Sequence, residues 1–170
     1  MAYINVDTST SFTPVSVSIT DRFTGGDGTA IKFNRAVSDS ANHWGGTSAP
    51  DVVCKGGSAG YLAQGVVACR FEDFSSGTEL QFWQIEYDQS GDIVEVGYHE
   101  EWYAPTEHDD LSRSDPNHDV SVCHKRFPVF AYVNPGHELG FRATQYHDSV
   151  EGWRIGVIAK AQCALQIVPK

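Results

Sequence analysis

The sequence predicts an all-β chain built as a two-sheet antiparallel jelly-roll sandwich. Three observations carry that expectation: apolar residues recur with period 2 almost throughout, glycine-rich turns separate the alternating runs, and no window of a dozen residues combines helical spacing with capping residues. Many short strands with turns between them pack most readily as two facing sheets.

Taken in order, Val15, Val17 and Ile19 alternate with serines, and Ile31 and Phe33 follow the turn Gly25-Gly26-Asp27-Gly28. Tyr61, Ala63, Gly65, Val67, Cys69 and Phe71 then line one side of a longer strand. Leu80 to Tyr87 is apolar on both faces, and Asp88-Gln89-Ser90-Gly91-Asp92 turns it back into Ile93-Val94-Glu95-Val96 as a hairpin. Val120 to Val122, Phe127 to Val133, Leu139 to Thr144, Trp153 to Ile158 and Cys163 to Val168 complete roughly nine or ten strands. A short helical turn is expected near Asp109 to Arg113. Residues 1–20 read as an extended N-terminal arm with a first strand, residues 21–170 as the jelly roll, and residues 99–119 as a long acidic insertion loop.

Composition narrows the function classes. The chain has 170 residues, a formal net charge of −10 and 41% hydrophobic residues, which suits one globular domain. An acidic surface repels phosphate, so no nucleic-acid partner is expected. No apolar run approaches the ~20 residues of a membrane-spanning helix, and no membrane partner is expected. The start Met-Ala-Tyr-Ile-Asn-Val-Asp has neither the basic region nor the apolar stretch of a secretory signal, so synthesis in a cytoplasm is expected. The acidity is uneven: residues 72–119 hold 14 Asp and Glu against one basic residue, Arg113, whereas the rest of the chain has 8 acidic and 11 basic residues. One face should be acidic and another near neutral.

No catalytic constellation emerges. Gly56-Gly57-Ser58-Ala59-Gly60 matches the Gly-x-Ser-x-Gly pattern, but a nucleophile elbow needs a helix after the serine and a strand pattern follows here. His99-Glu100 and His137-Glu138 lack the second histidine of a zinc-protease helix, since positions 103 and 141 are Tyr and Phe. Cys54, Cys69, Cys123 and Cys163 form no Cys-x-x-Cys pair and read as buried free thiols. Within the insertion, His99, Glu100, Glu101, Glu107, His108, Asp109, Asp110, Asp115, His118 and Asp119 supply groups able to bind a divalent ion, although no calcium-loop spacing occurs and a solvated loop is the simpler reading. No cofactor is expected. Tyr98, Trp102 and Tyr103 are candidates to stack on a sugar ring or anchor a protein partner, or else to cover the base of the insertion.

The order of elements resembles the tumour necrosis factor-like jelly roll, including the globular head of complement. The resemblance rests on Ile31-Lys32-Phe33-Asn34, the Asp39 to Trp44 stretch, Tyr61-Leu62-Ala63-Gln64-Gly65-Val66-Val67, and above all Phe127 to Val133 running into Asn134-Pro135-Gly136-His137-Glu138-Leu139. It covers roughly residues 30–168 and implies the fold and assembly as a homotrimer. The doubly apolar segment Leu80 to Tyr87 points the same way, one face for the core and one for a subunit interface.

Jelly rolls of this kind serve as signalling ligands, as secreted matrix heads and as structural proteins of bacteriophage virions. Without a signal peptide, a collagen-like stalk or an Asn-x-Ser/Thr acceptor, the sequence fits a non-enzymatic capsid decoration (cement) protein best. Such a protein would be made in the host cytoplasm and seated on the virion surface, binding the major capsid protein and neighbouring decoration trimers. The alternative is a receptor-binding or glycan-binding knob of a phage tail fibre. Expected partner-binding residues are Tyr3, Ile4, Val15, Val17 and Ile19 of the arm, pairing with a neighbour's edge strand, together with Tyr98, Trp102 and Tyr103.

Overall fold

The computed structural model describes residues 1–19, 28–74, 79–103, 121–146 and 156–170, with the side chains of 18–19, 73–74, 95–96, 98–103, 121 and 146 outside that description. Two sheets face each other. In sheet one, β10 (Ser121–Val133), β7 (Tyr61–Phe74), β12 (Val157–Pro169), β1 (Ala2–Asp7) and β5 (Arg35–Asp39) lie in that order, and β2 (Val15–Ser16) pairs with β12. In sheet two, β3 (Ser18–Ile19), β11 (Glu138–Tyr146), β8 (Glu79–Tyr87) and β9 (Ile93–Tyr103) are adjacent, while β4 (Thr29–Ala30) and β6 (Val52–Cys54) also pair with β11. Every pair is antiparallel except the two-residue contact of β3 with β11. The all-β sandwich read from the sequence is the fold observed.

Alternation assigns the faces. On β7, Tyr61, Ala63, Val67, Cys69 and Phe71 are buried, while Leu62, Gln64, Val66, Ala68 and Arg70 are only partly so. On β12 the buried set changes phase, from Ile158 to Ala161, Cys163, Leu165 and Ile167, because the register against β7 shifts between Ile158 and Lys160. That bulge is why the alternation read as two strands belongs to one. A register shift between Ser121 and Cys123 likewise lets β10 run unbroken to Val133.

Four expectations are corrected. The N-terminal arm is, over Ala2–Asp7, an internal strand held between β12 and β5, with Ile4 and Val6 fully buried in the chain's own core. Its Ile-Asn-Val alternation fits a half-buried strand rather than a free arm. Ile31 and Phe33 are core residues without a ladder: the Ile31 N–H donates to Phe141 O and that of Phe33 to Pro50 O, both at 2.9 Å. Residues 99–103, expected in the insertion, continue β9 to Tyr103. Finally, the outer half of β8 is no bare interface, since all nine residues are buried within the single chain. Trp83, Ile85 and Tyr87 pack with Ile93, Trp83 Nε1 donates to Thr144 Oγ1 at 3.2 Å, and the Arg142 guanidinium lies over the Tyr87 ring. Residues 104–119, with the expected turn at Asp109 to Arg113, lie outside the described residues.

Four aromatic rings join the sheets. Phe127 of β10 stacks on Phe82 of β8 with centroids 4.3 Å apart and planes within 3°, Phe141 flanks Phe82 at 5.4 Å, and Phe71 meets Phe127 edge-on at 6.3 Å. Where β7 runs beside β12, a Cβ on Gly65 would lie 2.1 Å from the Ala164 carbonyl oxygen, so only glycine allows this approach.

Two stability predictions follow from this packing. Phe82→Ala should cost about 3–5 kcal/mol in chemical denaturation, because a ring with aromatic partners in both sheets leaves a cavity neither sheet can close. Gly65→Ala should cost about 3 kcal/mol, whereas Gly91→Ala, which has open space around it but a φ of +83°, should cost less, about 1 kcal/mol. Equal losses for the two glycines would contradict the close-approach explanation.

Candidate functional site

The outer face of sheet one carries exposed aromatic side chains that the chain's own core does not use. Register places its side chains in rows across the strands. Tyr132 of β10 stands opposite Leu62 of β7 and Val168 of β12; Phe130 continues through Gln64 and Gln166 to Tyr3; Pro128 continues through Val66 and Ala164 to Asn5. Phe130 is 70% exposed, Tyr3 58% and Tyr132 42%, with Met1 beside them. Polar contacts order this surface without hiding it: Gln64 Nε2 donates to Gln166 Oε1 at 2.7 Å, and Lys170 Nζ sits 4.3 Å from the centre of the Tyr132 ring. Exposed aromatics on β10 and β1, with Leu62, Val66, Ala164 and Val168 on the strands between them, form an apolar patch of the kind that marks an interaction surface.

Around the edge from this patch, between β10 and sheet two, opens a cleft of about 240 Å³ lined by Gln84, Glu86, Gly97, Phe130, Ala131, Tyr132 and Leu139. Glu86 occupies an inward position of β8 where the alternation of Leu80 and Phe82 would place an apolar residue. Its carboxylate is used: Oε1 accepts the Asn134 N–H at 2.9 Å and pairs with His137 Nδ1 at 2.7 Å. The β10–β11 turn is thereby fastened to β8. Gly136 completes the turn with a φ of +78° and donates its N–H to Gly57 O at 2.9 Å. The Asn-Pro-Gly-His segment that carried the family resemblance is thus a structural clasp.

Of the predicted partner-binding residues, Tyr3 alone is both described and openly exposed. Ile4, 1% exposed, and Val17, 0%, are corrected to core residues, unavailable to a partner. Val15 is part-buried and pairs with Ile158 of β12, and Ile19 pairs through its backbone with Gln145. Trp102 and Tyr103 stand opposite Leu80 and Glu79 at the end of β9, and Tyr98 lies earlier on the same strand, but the side chains of all three are outside the described residues. So are Glu107, His108, Asp109, Asp110, Asp115, His118 and Asp119. Among the described residues no three His, Cys, Asp or Glu side chains converge as a metal site would require.

Phe130 and Tyr132 were not singled out from the sequence, although a signal was present. In Phe127 to Val133, Phe127, Val129 and Val133 fill the core while Pro128, Phe130 and Tyr132 make the opposite face apolar too. This is the pattern that drew attention to Leu80–Tyr87, but here the second face is bare.

The pair nearest to nucleophile and base among the described residues is Cys54 Sγ and His43 Nδ1, 3.9 Å apart. Burial pushes the Cys54 thiol up to about 12, so it stays protonated at neutral pH. The Asp39 carboxylate accepts the backbone N–H groups of His43 and Trp44, both at 2.9 Å, capping the loop instead of orienting the imidazole. Tyr61 OH donates to the Lys55 carbonyl, and burial raises that phenol as well.

No protein-family profile matches the sequence, and no curated protein matches it. The fold is similar to the globular domain of the zebrafish complement 1qA protein, with a TM-score of 0.51 at 5% identity over 98% of this chain and 96% of that one. The jelly roll is common to both.

A reactivity order follows from the burial of the cysteines. All four thiols are free; Cys54, Cys69 and Cys163 are buried and raised by that burial, while Cys123 is only part-buried. Ellman's reagent at pH 8 should label about one thiol per native chain and all four after denaturation, with Cys123→Ser abolishing the native signal. Rapid native labelling of two or more would show that the core opens.

Proposed function

We propose that this protein is a non-enzymatic, homotrimeric binding module, and that its role is to decorate and stabilise the icosahedral shell of a bacteriophage. The observation that carries the reading is the asymmetry of the two sheets. The outer face of sheet two is covered within the chain, with Trp83, Ile85 and Tyr87 buried, whereas that of sheet one exposes Phe130, Tyr132 and Tyr3 in adjacent rows. A monomeric sandwich normally turns polar residues outward on both sides, so the bare aromatic face is accounted for by contact with further copies. Similarity to the complement globular domain supports the fold on which the trimer reading rests. Three copies on a symmetry axis of a shell multiply modest single contacts into durable attachment, so no catalytic group is needed.

The cleft favours one second reading, the glycan-binding knob of a tail fibre. Aromatic residues, the Glu86 carboxylate and the Gln84 amide around about 240 Å³ suit a sugar ring better than a flat protein surface.

Light scattering on a sizing column should return a mass near three chains of 18.7 kDa. Phe130→Asp should shift it to one chain while leaving the far-ultraviolet dichroism unchanged, because the side chain lies outside the core. The trimer should then bind undecorated shells saturably and with fixed stoichiometry. A wild-type monomer that also ignores shells would refute this reading, and a positive glycan array would establish the second.

A further inference from the structure

The same face of sheet one has a second, opposite character at its other end. Lys160 of β12, Arg70 of β7 and His124 of β10 stand directly opposite one another, and Arg126 lies two residues further along β10 on the same side. Neighbouring strands are ~4.8 Å apart, so these basic side chains form one continuous row. Lys160, His124 and Arg126 are exposed, and Arg70 is partly so. Among the described residues one carboxylate forms an ion pair with them: Glu72 Oε1 lies 2.5 Å from Arg70 Nη2, while Arg70 Nε is buried with no hydrogen-bond partner among those residues.

Like charges directly opposite across strands are unfavourable. In a chain of net charge −10, a clustered row of basic side chains on the face that also bears the aromatic patch calls for an anionic partner. The sequence contains one of matching character. Residues 99–119 carry Glu100, Glu101, Glu107, Asp109, Asp110, Asp115 and Asp119 against the single cation Arg113.

We propose that the row Lys160–Arg70–His124 with Arg126 receives the acidic run 99–119 of a second copy of this chain. The inference rests on the self-association reading above and deepens it. Copies meet through the apolar end of the sheet-one face and are aligned by charge at the other. The aromatic end supplies adhesion that salt does not weaken. The cationic end fixes which way round the copies sit, because reversing one copy would set cations against cations.

The test measures dissociation of the assembly by light scattering across a dilution series at 50 and 500 mM NaCl. Wild type should dissociate at least tenfold more readily at the higher salt, where the Debye length falls to roughly a third. Arg126→Glu with Lys160→Glu should weaken the assembly at least tenfold at 50 mM, and adding Asp109→Lys with Asp110→Lys to that variant should restore most of the loss. The neutral pair R126Q/K160Q should fall between, and circular dichroism checks that each variant keeps the wild-type fold, as exposed positions predict. An assembly indifferent to both salt and charge reversal would overturn the inference while leaving the association reading intact. A reversal that weakens the assembly without rescue by the lysine pair would overturn the acidic run as the occupant. A wild-type chain that is monomeric at every concentration would remove the association reading, and this inference with it.

Discussion

The contact between Phe127 and Phe82 is where the two sheets become one molecule. Each sheet is held by its own strand pairing, but neither buries its apolar face alone, and the rings at 4.3 Å with Phe141 and Phe71 around them fill the space between. Everything outward of the sandwich follows from that closure. Because the inner positions of β7, β10 and β12 are committed to the core, their alternate positions must face outward. The character of those outward residues then decides what the protein can meet.

The two outward faces are handled differently. On sheet two, Trp83 donates to Thr144, whose hydroxyl in turn donates to Gln81 Oε1 at 3.1 Å, and Arg142 reaches both Tyr87 OH and Gly28 O at 3.2 Å. These bonds satisfy polar groups that burial would otherwise leave costly, so over the described side chains of β8 and β11 this face is covered by the chain itself. Sheet one is unfinished by comparison, aromatic at one end and cationic at the other. Under the proposed self-association, such a division of one face would let copies gain affinity and register from different physics, one insensitive to salt and one governed by it.

Glu86 shows how a polar residue can belong in such a core. A carboxylate facing inward would be destabilising unless paired, and here the Asn134 N–H and the His137 imidazole both reach its Oε1. The β10–β11 turn is tied to the opposite sheet by this clasp and by the Gly136 to Gly57 bond. With the turn held, β10 keeps the orientation that sets Phe130 and Tyr132 outward, so a residue in the core supports the surface that other copies would meet.

What the sequence by itself determined is the class of fold. Alternation, glycine turns and the Asn134 to Leu139 segment are local features, and period 2 allows only strands. It also held the two-sided apolarity of Phe127–Val133 in plain view. What the tertiary structure decided is which surfaces remain. Ile4 and Val17 look like adhesive residues of an arm until pairing with β12 and packing against the core bury them, and Trp83, Ile85 and Tyr87 look like an interface until the chain covers them itself. Register did the rest, bringing Lys160, Arg70 and His124 from three distant segments into one row. Burial and register arise from contacts between residues far apart in the chain, and a one-dimensional pattern records the faces of each strand without recording what stands opposite.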